Sequence, residues 1–460
     1  MSGSPFISKS YFDIQPLNSV SNFSFKAGQN VIRFSIPPMP NALLNDVLFC
    51  CKLNLDTDDN ETPYNFSAAY NGTDADSLKI GADSVIAAHS IINKVEISTR
   101  RGNINLEQQN DYAMVAKLDQ SSISSNNDLN VGRDNNMNIC SSNNGHTLKR
   151  LVRTADGGVD LALSLNCGLL MKADSRIDLG QIGGLEIMIY LNSELNSFFN
   201  VDTDTFKQMP ADFDIKYRLS GVHMFGSYQM YNPAIASQFQ IVNFKKTANN
   251  MQVIQSSNDT NGFSPQVQSL DKMFIVGQPN NFAKNNFNSN ANMMDQIVGL
   301  KNYSFSKDGL RFPYDFNVKV NESIANMSTA GGKLLTENVV SGSAEQMYNL
   351  CIASQGRYPA FHSLINMNNE ADANEQLNDG ATAPDNYFST AFLPIGVSYQ
   401  YGFAGYNTNM SNNLVQMNIN SSIKTNDSNV KSTFRDQAYT QNNLFIYNAT
   451  LDYANLQVMS

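Results

Sequence analysis

Tryptophan is absent from the 460 residues, histidine occurs four times, and charged residues make up only 16% of the chain, against about 25% in an ordinary globular protein. Each shortage excludes something. Without tryptophan, the large aromatic platforms on which sugar clefts commonly depend are lost, which counts against a lectin or a glycosidase. Paired carboxylates can still meet on a sandwich from distant segments, so glycoside hydrolysis stays open as a rival reading. His89, His146, His223 and His362 lie far apart and no HExxH occurs, so a histidine-based zinc site has no support. His223 sits in a strand-like run, where a packed or surface histidine is the ordinary case. The formal net charge of −10 has the wrong sign for a surface dedicated to phosphate. No run of about 18 apolar residues exists, so no membrane-spanning helix is expected. The opening MSGSPFISKSYFDIQPL lacks the basic-then-apolar order of a secretory signal.

The five cysteines, Cys50, Cys51, Cys140, Cys167 and Cys351, cannot all pair among themselves. Cys50 and Cys51 are adjacent in a strand-like run and should face opposite sides, which suits reduced thiols of a cytosolic protein rather than a disulfide or zinc site. Motifs that would carry chemistry fail one by one. Gly332-Lys333 resembles the end of a phosphate loop, but Met327 stands where its first glycine is needed and Leu334 where Ser or Thr is needed. Asp56, Asp58 and Asn60 begin like a calcium loop, but Glu61 occupies the position of the turning glycine. Asp202 and Asp204 have no partner. Lys149, Arg150 and Arg153, with Arg100-Arg101 at a turn, read as solvated or interfacial basic groups; their functional reading is contact with an acidic neighbour or genome. No residue is nominated as catalytic, cofactor-binding or metal-ligating.

What the chain does have is asparagine, at roughly one residue in seven, and strands. In QNVIRFSIPPMP, Ile32, Phe34 and Ile36 alternate with Val31, Arg33 and Ser35 before two prolines stop the run. DVLFCCKLNL (46–55), INKVEISTRRGNINLE (92–107), GLEIMIYLN (184–192) and FDIKYRLSGVHMF (213–225) read as further strands. The last shifts phase at Ser220-Gly221, as a β-bulge requires. The second half repeats the signals in SLDKMFIVG, in NYSFSKDGLRFPY with an Asp308-Gly309 hairpin turn, in LVQMNIN (414–420) and in FIYNATLDY (445–453). Val47 and Met273, Tyr112 and Tyr348, Ile187 and Met417, and Ile215 and Tyr447 keep one order at nearly one spacing. Gly102 and Gly309 break it, so loop lengths must differ between halves. One helix is expected in each half, over 110–120 and over 343–356, the latter with Ser343 and Gln346 spaced as a capping box. Long Asn/Ser-rich stretches (119–149, 279–297 and 366–387) separate the strands; such residues bond their own backbone in turns.

These patterns predict an all-β chain of two consecutive antiparallel eight-stranded jelly-roll sandwiches with a few short helices in loops, a plan that limits exposed sheet edges. The expected division is an N-terminal arm over 1–28, a first jelly roll over 29–228 and a second over 229–460. In NVIRFSIPP, IINKVEISTRRGNINLEQQNDYAM, GLEIMIYLN before FDIKYRLSGVHM, NYSFSKDGLRFPYDF and NLFIYNATLDY, the chain resembles the double jelly-roll major capsid proteins of tailless icosahedral double-stranded DNA viruses, most nearly those of virophages and polinton-like viruses. That resemblance implies a structural subunit of the virion with no enzyme activity and no cofactor. Three copies would form a pseudo-hexameric capsomer that tiles a shell around the genome, assembled inside the host cell and not secreted. The implied partners are neighbouring capsomers, penton and minor capsid proteins, with no sequence-specific nucleic acid. The arm would lie on the inner face and tie neighbouring tiles. The rivals are a carbohydrate-binding or receptor-binding β-sandwich spike and a two-domain β-sandwich glycoside hydrolase.

Overall fold

The computed structural model describes residues 6–18, 25–26, 31–56, 80–82, 87–121, 159–171, 173–193, 197–200, 216–254, 260–263, 267–279, 300–307, 310–311, 318–319, 393–396, 414–419 and 439–459. In the first half these form β1 (Phe6–Ile14), β2 (Phe25–Lys26), β3 (Val31–Ile36), β4 (Ala42–Asp56), β5 (Ile80–Ala82), β6 (Ile92–Thr99), β7 (Asn105–Gln109), β8 (Val159–Ser164), β9 (Leu185–Leu191), β10 (Phe198–Asn200) and β11 (Lys216–Tyr231). The second half holds β12 (Ile241–Ile254), β13 (Thr260–Phe263), β14 (Leu270–Pro279), β15 (Leu300–Lys307), β16 (Leu310–Arg311), β17 (Val318–Lys319), β18 (Leu393–Gly396), β19 (Leu414–Ile419), β20 (Tyr439–Asp452) and β21 (Gln457–Met459).

Alternation of apolar and polar residues decides which face each strand buries. Along β3 the buried residues are Ile32, Phe34 and Ile36, and along β9 they are Leu185, Ile187, Ile189 and Leu191. The two strands pair antiparallel with Phe34 opposite Ile187, so their apolar faces coincide. On β4 the sequence Val47, Phe49, Cys51, Leu53 is buried while Cys50 is only half-buried, so the adjacent cysteines do face opposite ways. The expected bulge is present. Pairing of β11 with β4 slips between Ser220 and His223, Gly221 takes the left-handed conformation at φ 57°, and burial passes from Tyr217 and Leu219 to Val222 and Met224. Each fully buried Ile, Phe or Leu contributes about 1.5–3 kcal/mol relative to exposure.

The strand order answers the question of duplication. The first half builds one sheet in the order β1-β11-β4-β8, with β2 also on β11, and another in the order β3-β9-β6-β7. The second half builds β12-β20-β14-β18 and β13-β19-β15-β16. Leaving aside the short extra strands β2, β5, β10, β17 and β21, both halves place their eight strands as 1-8-3-6 and 2-7-4-5. Two Greek keys wound this way make a jelly roll. The sequence anchors fall on matching strands: Val47 and Met273 on β4 and β14, Ile187 and Met417 on β9 and β19. Tyr447 lies in β20, while Ile215 directly precedes β11 and, like Tyr348, lies outside the described residues. The Asp308-Gly309 turn is bracketed by pairing of Ser306 with Arg311 and Lys307 with Leu310. The first helix forms as α1 (Tyr112–Ser121); the second, over 343–356, lies outside the described residues.

Two expectations are corrected. Residues 6–14 are not a free arm: they pair along β11 from Phe6–Tyr231 to Ile14–Met224, and Phe25 and Lys26 pair it further on. Leu17 N–H donates to Arg33 O at 2.7 Å and Arg33 N–H to Asn18 Oδ1 at 2.9 Å, so the turn after β1 closes the open edge of β3. The division at 228/229 falls inside β11, which runs on to Tyr231.

Candidate functional site: the junction between the halves and the outer sheet faces

Among the described residues, those singled out in sequence do not converge. His89 is buried and its Nδ1 lies 2.8 Å from the Tyr112 hydroxyl, which also accepts the Asn166 N–H at 2.8 Å. Burial pushes the imidazole down to about 4, so it is neutral at pH 7 and serves packing. His223 is half-buried, its Nδ1 2.8 Å from Gly221 O across the bulge. Arg100 and Arg101 are exposed at the β6–β7 turn. Cys50, Cys51 and Cys167 are not joined in disulfides. Asp56 ends β4; Asp58, Asn60, Glu61, Cys140, His146, Lys149, Arg150, Arg153, Asp202, Asp204, Lys333, Cys351 and His362 lie outside the described residues. Among the described residues, no group of three or more His, Cys, Asp or Glu is placed to hold a metal, and no helix is long and apolar enough to cross a membrane.

What the structure does concentrate is polar chemistry where the halves meet, at residues sequence reasoning passed over. Glu107, near the middle of β7, is 2% exposed and accepts the backbone N–H groups of Gly168 and Leu169, both at 2.7 Å. It thereby caps the short helix Gly168–Met171, which leans on β12 of the second half. A Cβ built on Gly168 would lie 1.7 Å from Lys245 O, so only glycine allows this approach. Lys246, on β12, is held below the ordinary lysine range by burial, an effect that the Glu107 charge opposes. Burial and the same carboxylate raise Tyr447, on β20.

Asp178 anchors a second cluster. Fully buried, it caps the one-turn helix Leu179–Ile182 by accepting from Gly180 N–H at 2.9 Å and Gln181 N–H at 3.1 Å. It also accepts from Gln181 Nε2 at 2.8 Å and from the Tyr231 hydroxyl. Its own N–H donates to the Tyr453 hydroxyl at 2.8 Å, 275 residues along the chain. Burial and the adjacent carboxylate push Tyr231 up to about 12, and burial raises Tyr453 further, so both remain protonated. Asp174 grips Asn243 on β12 through N–H to O at 2.8 Å and two return bonds at 2.9 and 2.8 Å. Asn249 Nδ2 donates to Asp111 Oδ2 at 2.8 Å. One apolar cluster runs through both halves, taking in Leu169 and Ile177 with Val242, Phe244, Leu451 and Tyr453. The one-turn helix was legible in part: Asp before Leu-Gly-Gln-Ile-Gly is an N-cap followed by a C-terminal glycine, and Gly183 is left-handed at φ 76°.

The outer sheet faces differ from one another. The sheet of β3, β9 and β6 carries Arg33–Glu186 at 3.6 Å, Lys94–Glu96 at 2.5 Å, and Tyr190 donating to Glu96 at 2.8 Å, with Lys94 over the Tyr190 ring. That is a water-facing surface. The sheet of β1 and β11 instead exposes Ile7, Tyr11 and Phe225. Buried carboxylates that bond backbone amides, tyrosines kept protonated and an apolar outer strip can join and hold surfaces.

No protein-family model and no curated protein matches the chain. Solved structures do, along its whole length. The Sputnik virophage structure determined by cryo-EM at 3.5 Å matches with TM-score 0.54 and 11% identity, over 100% of this chain and 89% of that one. The Faustovirus major capsid protein matches with TM-score 0.55 and 9% identity, over 97% and 90%. The crystal structure of PBCV-1 VP54, fitted into a reconstruction of the virophage Sputnik, matches with TM-score 0.53 and 8% identity, over 98% and 96%. At these identities the likeness is one of architecture. The chain has the double jelly-roll fold found in these viral capsid structures.

Proposed function

We propose that the protein is a viral major capsid protein, a structural subunit without catalytic activity. Three copies associate into a pseudo-hexameric capsomer that tiles an icosahedral shell around a double-stranded DNA genome. The observation that carries this reading is the repeated strand order, 1-8-3-6 and 2-7-4-5 in each half. Two alike sandwiches held side by side give each subunit two of six similar corners, and three subunits then close a ring by heterologous contacts. The full-length likeness to capsid structures supports it. So does the composition: neutral, amide-rich stretches of sequence let many copies pack without concentrating like charge. Neighbouring capsomers, penton and minor capsid proteins are the partners this role requires. The virion is its place of residence, reached by assembly inside the host cell rather than by secretion. Light scattering of purified protein, with negatively stained images of the same sample, tests the proposal. The expected result is a three-chain particle with hexagonal outline; monomer at every concentration would refute it.

A further inference from the structure

β1 and β12 are counterparts: each is the first strand of its half, pairs with the eighth, and forms the outer edge of its sheet. Their surroundings differ sharply. The edge of β12 is covered within the chain, where Ala173 bridges Phe244, Asp174 exchanges backbone and side-chain bonds with Asn243, and Val242 and Phe244 are buried. The covering stretch lies between β8 and β9, the sixth and seventh strands of the first half. Past Phe6, the described residues give β1 no such cover beyond β11. Ile7 is 65% exposed and Tyr11 62%, and Tyr11 stacks at 5.9 Å on Phe225, itself 39% exposed. A nine-residue edge is about 30 Å long, and native sheets cover or pair such edges.

We propose that the edge and exposed face of β1 are covered by a second copy of this chain, through the stretch joining the sixth and seventh strands of that copy's second half, residues 397–413. The proposal rests on the capsomer reading and gives it a contact. Topology selects the occupant. Within one chain, the connection between strands six and seven of one half covers the first-strand edge of the next half. Repeating that step from chain to chain brings residues 397–413 onto the β1 of a neighbour and closes the ring. The sequence of that stretch, VSYQYGFAGYNTNMSNN, has no charged residue and carries Tyr399, Tyr401, Phe403 and Tyr406. Its aromatics suit the exposed Ile7, Tyr11 and Phe225, while Lys9, 5.3 Å from the Tyr11 ring centroid, and the exposed Asp13 flank that patch as a polar rim.

The test is photo-crosslinking of full-length assembled protein in which Tyr11 is replaced by p-benzoylphenylalanine, with isotopically light and heavy copies mixed before assembly. Mixed light–heavy cross-links landing in residues 397–413 are expected. Cross-links confined to one copy, or landing elsewhere on a neighbour, overturn the assignment. In parallel, Ile7→Lys with Tyr11→Lys is expected to raise the half-assembly concentration at least tenfold while leaving the monomer's thermal midpoint unchanged. A variant that assembles like the parent overturns this contact and leaves the capsomer reading standing. A parent protein that never assembles overturns both.

Discussion

Replacing Glu107 by glutamine tests whether the junction is held by a buried charge or merely by packing. In the parent, two backbone N–H groups converge at 2.7 Å on one carboxylate, Gly168 on Oε1 and Leu169 on Oε2. Glutamine keeps one acceptor and presents an NH2 to the other N–H, leaving a donor facing a donor in a site 2% exposed. Hydrogen bonds to a charged group contribute about 1.5–3 kcal/mol each, and an unsatisfied buried group costs about 1–3 kcal/mol. Losing the charge also removes what keeps Lys246 from falling further below its ordinary range. The expected destabilisation is therefore ~3 kcal/mol. At about 2–4 °C per kcal/mol for a folding unit of this size, that lowers the thermal midpoint by ~6–12 °C. Differential scanning calorimetry at pH 7 measures it, with Gln108→Ala, a half-buried neighbour, as the control. A Glu107→Gln midpoint within about 2 °C of the control would refute the reasoning, because the two amides would then be satisfied without the charge.

Gly168→Ala puts a methyl 1.7 Å from Lys245 O; overpacking against rigid backbone costs about 1–3 kcal/mol or more, and limited proteolysis should cut faster between the halves. Tyr453→Phe deprives the buried Asp178 N–H of its 2.8 Å acceptor and should cost about 1–3 kcal/mol in urea unfolding. His89 gives a pH dependence of known sign. Its folded pKa, about 4, lies below the unfolded value of about 6.5, so as pH falls through that window the unfolded chain binds a proton the folded chain refuses. Stability should therefore fall by up to ~3 kcal/mol between about pH 6.5 and pH 4, and His89→Gln should flatten that part of the curve. Cys51, buried and with its thiol raised by burial, should resist iodoacetamide at pH 8 in folded protein and react on unfolding.

Strands were legible wherever one face is buried and the other wet, because period-two alternation then survives in the residues themselves. β3 and β9 show this, and so does the phase slip at Ser220-Gly221. β1 was missed for the reason that makes it interesting. In FISKSYFDI the exposed positions include Ile7 and Tyr11 beside Lys9 and Asp13, and the half-buried ones include Ser10 beside Phe12 and Ile14, so both faces mix apolar and polar residues and the alternation is blurred. Glu107 was invisible for another reason. In NLEQQ it looks like a solvent-facing strand residue, and the amides it bonds come from Gly168 and Leu169, 61 and 62 residues later. Tertiary hydrogen bonding of that range leaves no local signature. The duplication was readable as order but not as register, since only strand identity, not exact position, survives in Ile187 against Met417.

The choice of groups at the junction has a consequence for assembly. Asp174, Asp178 and Glu107 bond backbone amides, side-chain amides or tyrosine hydroxyls there, and the described ion pair at β12, Lys245 with Asp271, lies within the second half. Carboxylates satisfied by fixed peptide dipoles hold one geometry, whereas an exposed ion pair is screened by salt and tolerates several. The two halves of a subunit should therefore keep one relative placement across a wide range of ionic strength, and a repeated ring contact needs that placement to be fixed before copies meet. The contact proposed on β1 centres on Ile7, Tyr11 and Phe225 rather than on buried carboxylates. It should strengthen in sulfate and weaken in urea at concentrations that leave each subunit folded. Disassembly in low urea with an unchanged unfolding midpoint is the expected order of events; unfolding before dissociation would place the weaker link at the junction instead.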